Sequence, residues 1–164
     1  MKKIKKSTLA VIAVLAALAV GVAVLAALNG RSAGLKKQLL NDAAFLLTAN
    51  GAEHKITMEE FRGLGLREIR ANYKKSGKAP ETRTYTGISF AEVLRFKNIE
   101  LAGVTKVIFS ASDNYATALR LDEALDEENC FIVADDDEGP FRMVLARDQF
   151  SQRWCSYLIN VELK

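Results

Sequence analysis

Seven cations stand from Arg62 to Arg83: Arg62, Arg67, Arg70, Lys74, Lys75, Lys78 and Arg83, opposed only by Glu68 and Glu81. Three of the lysines surround Ser76-Gly77 within Lys74 to Thr82 (KKSGKAPET), whose Gly, Pro and charge content marks a loop. Such a loop can hold a phosphate-bearing, anionic ligand through backbone N–H groups and charge. Lys74, Lys75, Ser76 and Lys78 are therefore candidate ligand-binding residues. A solvated basic surface, or one meeting anionic lipid headgroups, has the same composition. From Asp122 to Glu138 the sign reverses, with Asp122, Glu123, Asp126, Glu127, Glu128, Asp135, Asp136, Asp137 and Glu138. Asp135 to Glu138 offers oxygens of the kind calcium takes, but without the spaced ligands of a dedicated loop. Four acids before Gly139-Pro140 read more simply as a solvated turn. The two halves make the domain electrically polar, which can orient a protein partner.

Cys130 and Cys155 each lie in an apolar, strand-like run, where a free cysteine packs as a small hydrophobe. A disulfide is the competing reading in an oxidising compartment. Neither has a second cysteine or a histidine at metal-ligand spacing, so no metal site is assigned. His54 is the only histidine and follows a turn, so no Ser-His-Asp arrangement can be built on it. Trp154 and Tyr157 are expected in the core or on a sheet face.

The elements that position these residues begin with an anchor. Leu9 to Leu28 is a run of twenty uncharged, mostly aliphatic residues. At a rise of ~1.5 Å per residue it reaches ~30 Å, the thickness of a bilayer's hydrocarbon core. Lys2, Lys3, Lys5 and Lys6 precede it and favour a cytoplasmic N-terminus. A cleaved signal peptide competes with this reading, although its apolar region is usually ~7–15 residues. The division expected is 1–8 as a basic cytoplasmic N-terminus, 9–28 as a transmembrane anchor, 29–43 as a juxtamembrane stalk and 44–164 as one extracytoplasmic domain. The formal net charge of +3 belongs largely to the anchor. Residues 1–28 carry four lysines and no acid, leaving 19 basic and 20 acidic side chains in the rest. Nucleic-acid binding thereby loses its electrostatic argument.

Beyond a polar exit at Asn29 to Gly34 and a short helical stretch at Leu35 to Leu40, the pattern is of short strands. Phe45 to Thr48 and a return run ending at Thr57 flank the turn pair Asn50-Gly51. Thr57 and Glu60 form a capping box for a helix at Met58 to Phe61, and Ser89 caps another through Phe96. Leu66 to Tyr73 and Arg83 to Tyr85 read as extended, with a turn at Thr86-Gly87. Val104 to Phe109, Tyr115 to Leu121, Phe131 to Ala134, Phe141 to Leu145 and Trp154 to Leu163 are further strands, and Asp122 caps one helical turn through Leu125. The fold class expected is α+β, mostly β with short helices, preceded by one transmembrane helix.

Four segments stand in an order known from one family: Tyr85-Thr86-Gly87-Ile88-Ser89-Phe90-Ala91-Glu92-Val93-Leu94, Ser110-Ala111-Ser112-Asp113-Asn114-Tyr115, Gly139-Pro140-Phe141-Arg142-Met143-Val144-Leu145, and Trp154 through Glu162. Together they resemble the oxidoreductase molybdopterin-binding domain, the sulfite-oxidase type of fold, over roughly residues 45–163. The resemblance implies a mostly β core and makes molybdopterin a possible cofactor. It places the basic loop near the pterin and puts Asp113 and Tyr115 at a pocket edge, so they join the candidate cofactor-binding residues. An Asx-turn is the competing role for Asp113. The family's molybdenum is ligated by a cysteine thiolate shortly before the loop leading into the Tyr-Thr-Gly segment. Here that stretch reads Ile69-Arg70-Ala71-Asn72-Tyr73-Lys74-Lys75-Ser76, with no sulfur. Ala71 or Asn72 cannot replace soft thiolate ligation.

The function expected is thus a membrane-anchored, extracytoplasmic, molybdopterin-oxidoreductase-like domain acting as a non-catalytic binding or redox-partner module. The alternative is an active oxidoreductase holding a pterin or another redox cofactor without a cysteine–metal bond. Catalytic residues are left unassigned. The partners expected are the membrane, an extracytoplasmic protein or an anionic ligand.

Overall fold

A computed structural model describes residues 6–74, 77, 79–135 and 137–164. Helix α1 (Lys6–Asn41) is continuous over 36 residues. Within it Val14–Asn41 is long and apolar enough to cross a membrane. Asn29 to Gly34, expected as a polar exit, is helical instead. Gly30 and Gly34 each cost only about 1 kcal/mol in a helix interior, too little to stop a helix already propagating. The end comes where Ala43 turns to a left-handed φ of 44°. The chain divides into two compact units, Met1–Lys37 and Gln38–Lys164.

In the second unit, β1 (Ala44–Ala49) and β2 (Ala52–Thr57) form a hairpin. Asn50 and Gly51 both take positive φ, 51° and 77°, as a two-residue turn matched to strand twist requires. Thr57 then caps α2 (Met58–Arg62) in a complete capping box with Glu60. Next come β3 (Arg67–Tyr73), β4 (Glu81–Ser89) and α3 (Phe90–Phe96), the last capped reciprocally by Ser89 and Glu92. β5 (Lys106–Ala111), β6 (Ala116–Arg120), α4 (Leu121–Ala124), β7 (Cys130–Ala134) and β8 (Phe141–Leu145) follow. A 3-10 turn at Ser151–Arg153 leads to β9 (Leu158–Leu163).

The strands form two sheets, ordered β2-β1-β9-β5-β6 and β3-β4-β7-β8. β9 pairs parallel to β1 and antiparallel to β5, so it lies at the middle of its sheet. Every residue of β8 is buried, although it ends its ladder. The Cys155 segment covers its outer side through paired backbone bonds with Met143 at 2.9 and 3.0 Å. Phe141 of β8 packs edge-on against Phe45 and Phe61, tying the second sheet to β1 and α2.

Several local expectations are corrected. Thr86-Gly87 does not turn the chain but lies within β4. Gly87 serves close strand approach, because a Cβ there would lie 2.7 Å from Val133 Cγ1. Asp122 does not cap α4; Arg120 occupies the cap position and pairs with Asp122 at 3.0 Å. The final strand begins at Leu158 rather than Trp154, since Tyr157 has a left-handed φ of 50°. That kink turns Tyr157 outward to 41% exposure, while Trp154 is buried as expected. Cys130 and Cys155 are both buried free thiols, not a disulfide.

Candidate functional site around Arg142

Arg142 is the second residue of the buried strand Phe141–Leu145 and is 2% exposed. Removing a guanidinium from water costs several kcal/mol unless partners replace the lost solvation. Strand register supplies them. Arg142 lies opposite Val133, Val133 opposite Gly87, and Tyr85 opposite Ile69, so Tyr73, Tyr85 and Arg142 share one face of the four-stranded sheet. The guanidinium carbon lies 5.3 Å from the Tyr73 ring centroid, 5.9 Å from that of Tyr85 and 5.7 Å from that of Trp154. Three aromatic rings thus surround the cation.

The acidic turn provides the counter-charge. Arg142 Nη1 donates to Asp135 Oδ2 at 2.7 Å and to the Tyr85 hydroxyl at 3.3 Å, and Nη2 donates to Glu138 Oε2. Nε donates to Ser156 Oγ at 3.0 Å, and that hydroxyl donates to Glu138 Oε2 at 2.8 Å. The Tyr73 hydroxyl completes the set, donating to Glu138 Oε1 at 2.6 Å. Burial pushes the Tyr85 phenol above its ordinary range, opposed by the charges of Arg142 and Arg83. Asp135 and Glu138 are therefore not the freely solvated turn expected from sequence. With one cation against two carboxylates, the cluster keeps a formal negative charge.

The cluster reaches the surface at Ser156. Tyr157 next to it donates its N–H to Glu138 O at 2.9 Å and accepts from the N–H of Ser112 at 3.1 Å. A left-handed φ is strained for a tyrosine, by roughly 1–3 kcal/mol. Gly139 accommodates it, since a Cβ there would lie 2.7 Å from Tyr157 Cδ1. Ser156 lines a cavity of about 190 Å³ with Asp113, Tyr115, Gln152 and Trp154. Asp113 Oδ1 accepts the N–H of Tyr115 at 2.9 Å, the Asx-turn geometry, and the Tyr115 hydroxyl donates to Gln152 O at 2.8 Å.

Lys74 borders a second cavity of about 330 Å³, with Gly77, Phe150 and Gln152. Its N–H donates to Ser151 Oγ at 3.2 Å, and its ammonium sits 4.5 Å from the Phe150 ring centroid. Gln152 lines both cavities, so Lys74 and the Asp113–Tyr115 pair flank one 3-10 turn. Lys75, Ser76 and Lys78 lie outside the described residues. Other cations of the basic stretch are engaged elsewhere: Arg83 with Glu81 at 2.6 Å and stacked 4.0 Å over Tyr73, and Arg67 with Glu92 at 3.4 Å. The residues that sequence reasoning missed are Arg142, Tyr85, Asp135, Glu138 and Ser156. One signal was present, an arginine inside an apolar strand, four residues after a glutamate.

The donor set does not fit a thiolate-ligated molybdenum. Residues 69–76 contain no sulfur. The two thiols are buried in the core, and burial holds both protonated, that of Cys155 pushed up to about 12 and that of Cys130 further. A group of three His, Cys, Asp or Glu side chains placed to hold a metal is absent among the described residues.

No family model matches the sequence, and no curated protein matches it. Among solved structures, the sulfane dehydrogenase SoxCD from Paracoccus pantotrophus has a similar fold, with a TM-score of 0.61 at 9% identity. The match covers 73% of this chain but only 37% of that one. The chain therefore has the mixed α+β fold, mostly sheet with short helices, of a domain within that enzyme.

Proposed function

We propose that this chain is a membrane-tethered, extracytoplasmic domain of the sulfite-oxidase type that binds a partner rather than catalysing molybdenum chemistry. In this reading residues 9–28 anchor it, the lysine-rich 1–8 stays in the cytoplasm, 29–43 forms the stalk, and 44–164 works outside. The observation that carries the reading is the state of the sulfur. The chain has two cysteines, and both are buried, protonated and part of the packing. A metal thiolate needs a deprotonated, reachable sulfur. Filling of the sheet face next to β3 supports the same conclusion, because Tyr73, Tyr85, Trp154 and Arg142 pack there against one another. Lys74, Lys75, Ser76, Lys78, Asp113 and Tyr115 remain the residues proposed to border a ligand.

The test is metal and pterin analysis of the full chain, purified in detergent from cells able to make the cofactor. Molybdenum far below one atom per chain, and no pterin fluorescence after oxidative release, is the expected result. Stoichiometric molybdenum overturns the proposal.

A further inference from the structure

Strand β4 is paired unevenly. On one side it bonds to β3 from Glu81 through Gly87. On the other it bonds to β7 only from Thr86 through Ser89. β7 ends at Ala134, and the carboxylate of the next residue, Asp135, is drawn to Arg142 at 2.7 Å. The chain leaves the ladder there, and a groove of about 470 Å³ opens. Arg83, Thr84 and Tyr85 line one wall, and Ala134, Asp135 and Asp137 the other. Among the described residues, no backbone hydrogen bond joins Glu81–Tyr85 to anything except β3.

In an antiparallel strand every second residue directs both its N–H and its C=O to the same side. Half of the residues from Thr82 to Tyr85 therefore offer an unused donor and acceptor to the groove. We infer that this open flank of β4 takes an extended, basic peptide segment of a partner protein as an added β-strand. Four residues of strand span about 13 Å, so a segment of about that length pairs while its flanks pass beyond. Charge chooses the partner. Arg83 is already neutralised by Glu81 at 2.6 Å, and Asp135 by Arg142. Asp137 is exposed and makes no ion pair among the described residues. Among the described residues that line the groove, the uncompensated charge is therefore negative and suits a lysine or arginine. This inference deepens the partner-binding reading above and rests on it for its meaning, but molybdenum content decides that reading and peptide pairing decides this one.

The test uses the full chain in detergent and a fluorescein-labelled peptide of alternating lysine and valine. Two isomers are compared, N-methylated on the odd or on the even residues, by fluorescence anisotropy. Strand addition pairs only the edge left free of methyl groups, and the two isomers then carry their lysines on opposite faces of the sheet, so they differ by about tenfold in Kd. Asp137→Lys weakens the better isomer by about fivefold, without touching the buried cluster. Equal binding of the two isomers, or no saturable binding of either up to about 1 mM, overturns the inference.

Discussion

The Nε of Arg142 donates to the Oγ of Ser156 at 3.0 Å, and through this bond a buried guanidinium reaches the wall of a surface cavity. The same serine donates to Glu138, so cation, carboxylate and cavity wall form one unit. Its members come from three strands, the acidic turn and the segment before β9.

Breaking the unit on one side is costly. Arg142→Ala leaves Asp135 and Glu138 without their cation and is expected to destabilise the protein by about 3–5 kcal/mol. Arg142→Met combined with Asp135→Asn and Glu138→Gln recovers part of that loss. Trp154 is the only tryptophan and lies against the guanidinium, so its fluorescence during urea unfolding of the detergent-solubilised chain reports the change. An Arg142→Ala midpoint equal to that of the parent would contradict the structural role.

The cysteines predict an alkaline limb of stability. The folded state holds Cys155 protonated up to about 12, against 9.0 for an ordinary thiol, so the folded state binds more protons above pH 9. Stability from this group is complete below about pH 9 and falls as pH rises toward 12. Cys155→Ala flattens that limb, measured as unfolding midpoint against pH. A thiol reagent at pH 8 leaves both cysteines unmodified until the protein is unfolded; rapid labelling of the folded chain would refute the burial.

Two capping boxes give a graded pair. Thr57→Ala and Ser89→Ala each remove a cap worth about 1 kcal/mol. Ser89 is fully buried and its hydroxyl also donates to Glu92 at 2.6 Å, so its loss is expected to be the larger. Glu60 adds a pH signature. The hydrogen bond from Lys97 holds its carboxyl below the usual range, with the Thr57 N–H acting in the same direction. Its contribution is present above an ordinary pKa of 4.5 and fades as pH falls through the lowered value. Glu60→Gln therefore removes part of the acid sensitivity of the unfolding midpoint. An unchanged acid limb would refute this assignment.

Gly87→Ala should be severe although it adds one methyl group. The new Cβ would fall 2.9 Å from the Val133 backbone, which cannot move without parting β4 from β7. A loss of at least about 1–3 kcal/mol is expected. Gly65→Ala meets nothing within 4 Å and serves as the neutral control. Equal melting curves for the two variants would show that the strands separate more easily than this packing implies.

Local features were the legible part of the fold. The Asn50-Gly51 turn, the Thr57–Glu60 and Ser89–Glu92 boxes and the apolar run at Phe141–Leu145 each carry their signal within a few residues. Gly87 misled because a glycine that admits a neighbouring strand looks, in sequence, like one that turns the chain. The site was less legible for a related reason. Charge composition pointed to Lys74 and its neighbours, and resemblance pointed to Asp113 and Tyr115. Neither indicates that Tyr73, Tyr85 and Arg142 share a sheet face, because strand register decides that. Asp135 and Glu138 read as part of a solvated turn for the same reason, since the cation that pairs with them follows in the next strand and its burial depends on tertiary packing.

The position of β9 governs the order in which this protein can be assembled. β1 and β2 form one hairpin, β5 and β6 another, and Leu158–Leu163 joins them. Until that segment has been synthesised, the two hairpins have no shared ladder, and Val161 and Leu163 are missing from the core. Folding of the five-stranded sheet therefore waits for Leu158–Leu163, and a nascent chain halted before Leu158 would present two unjoined hairpins to quality control.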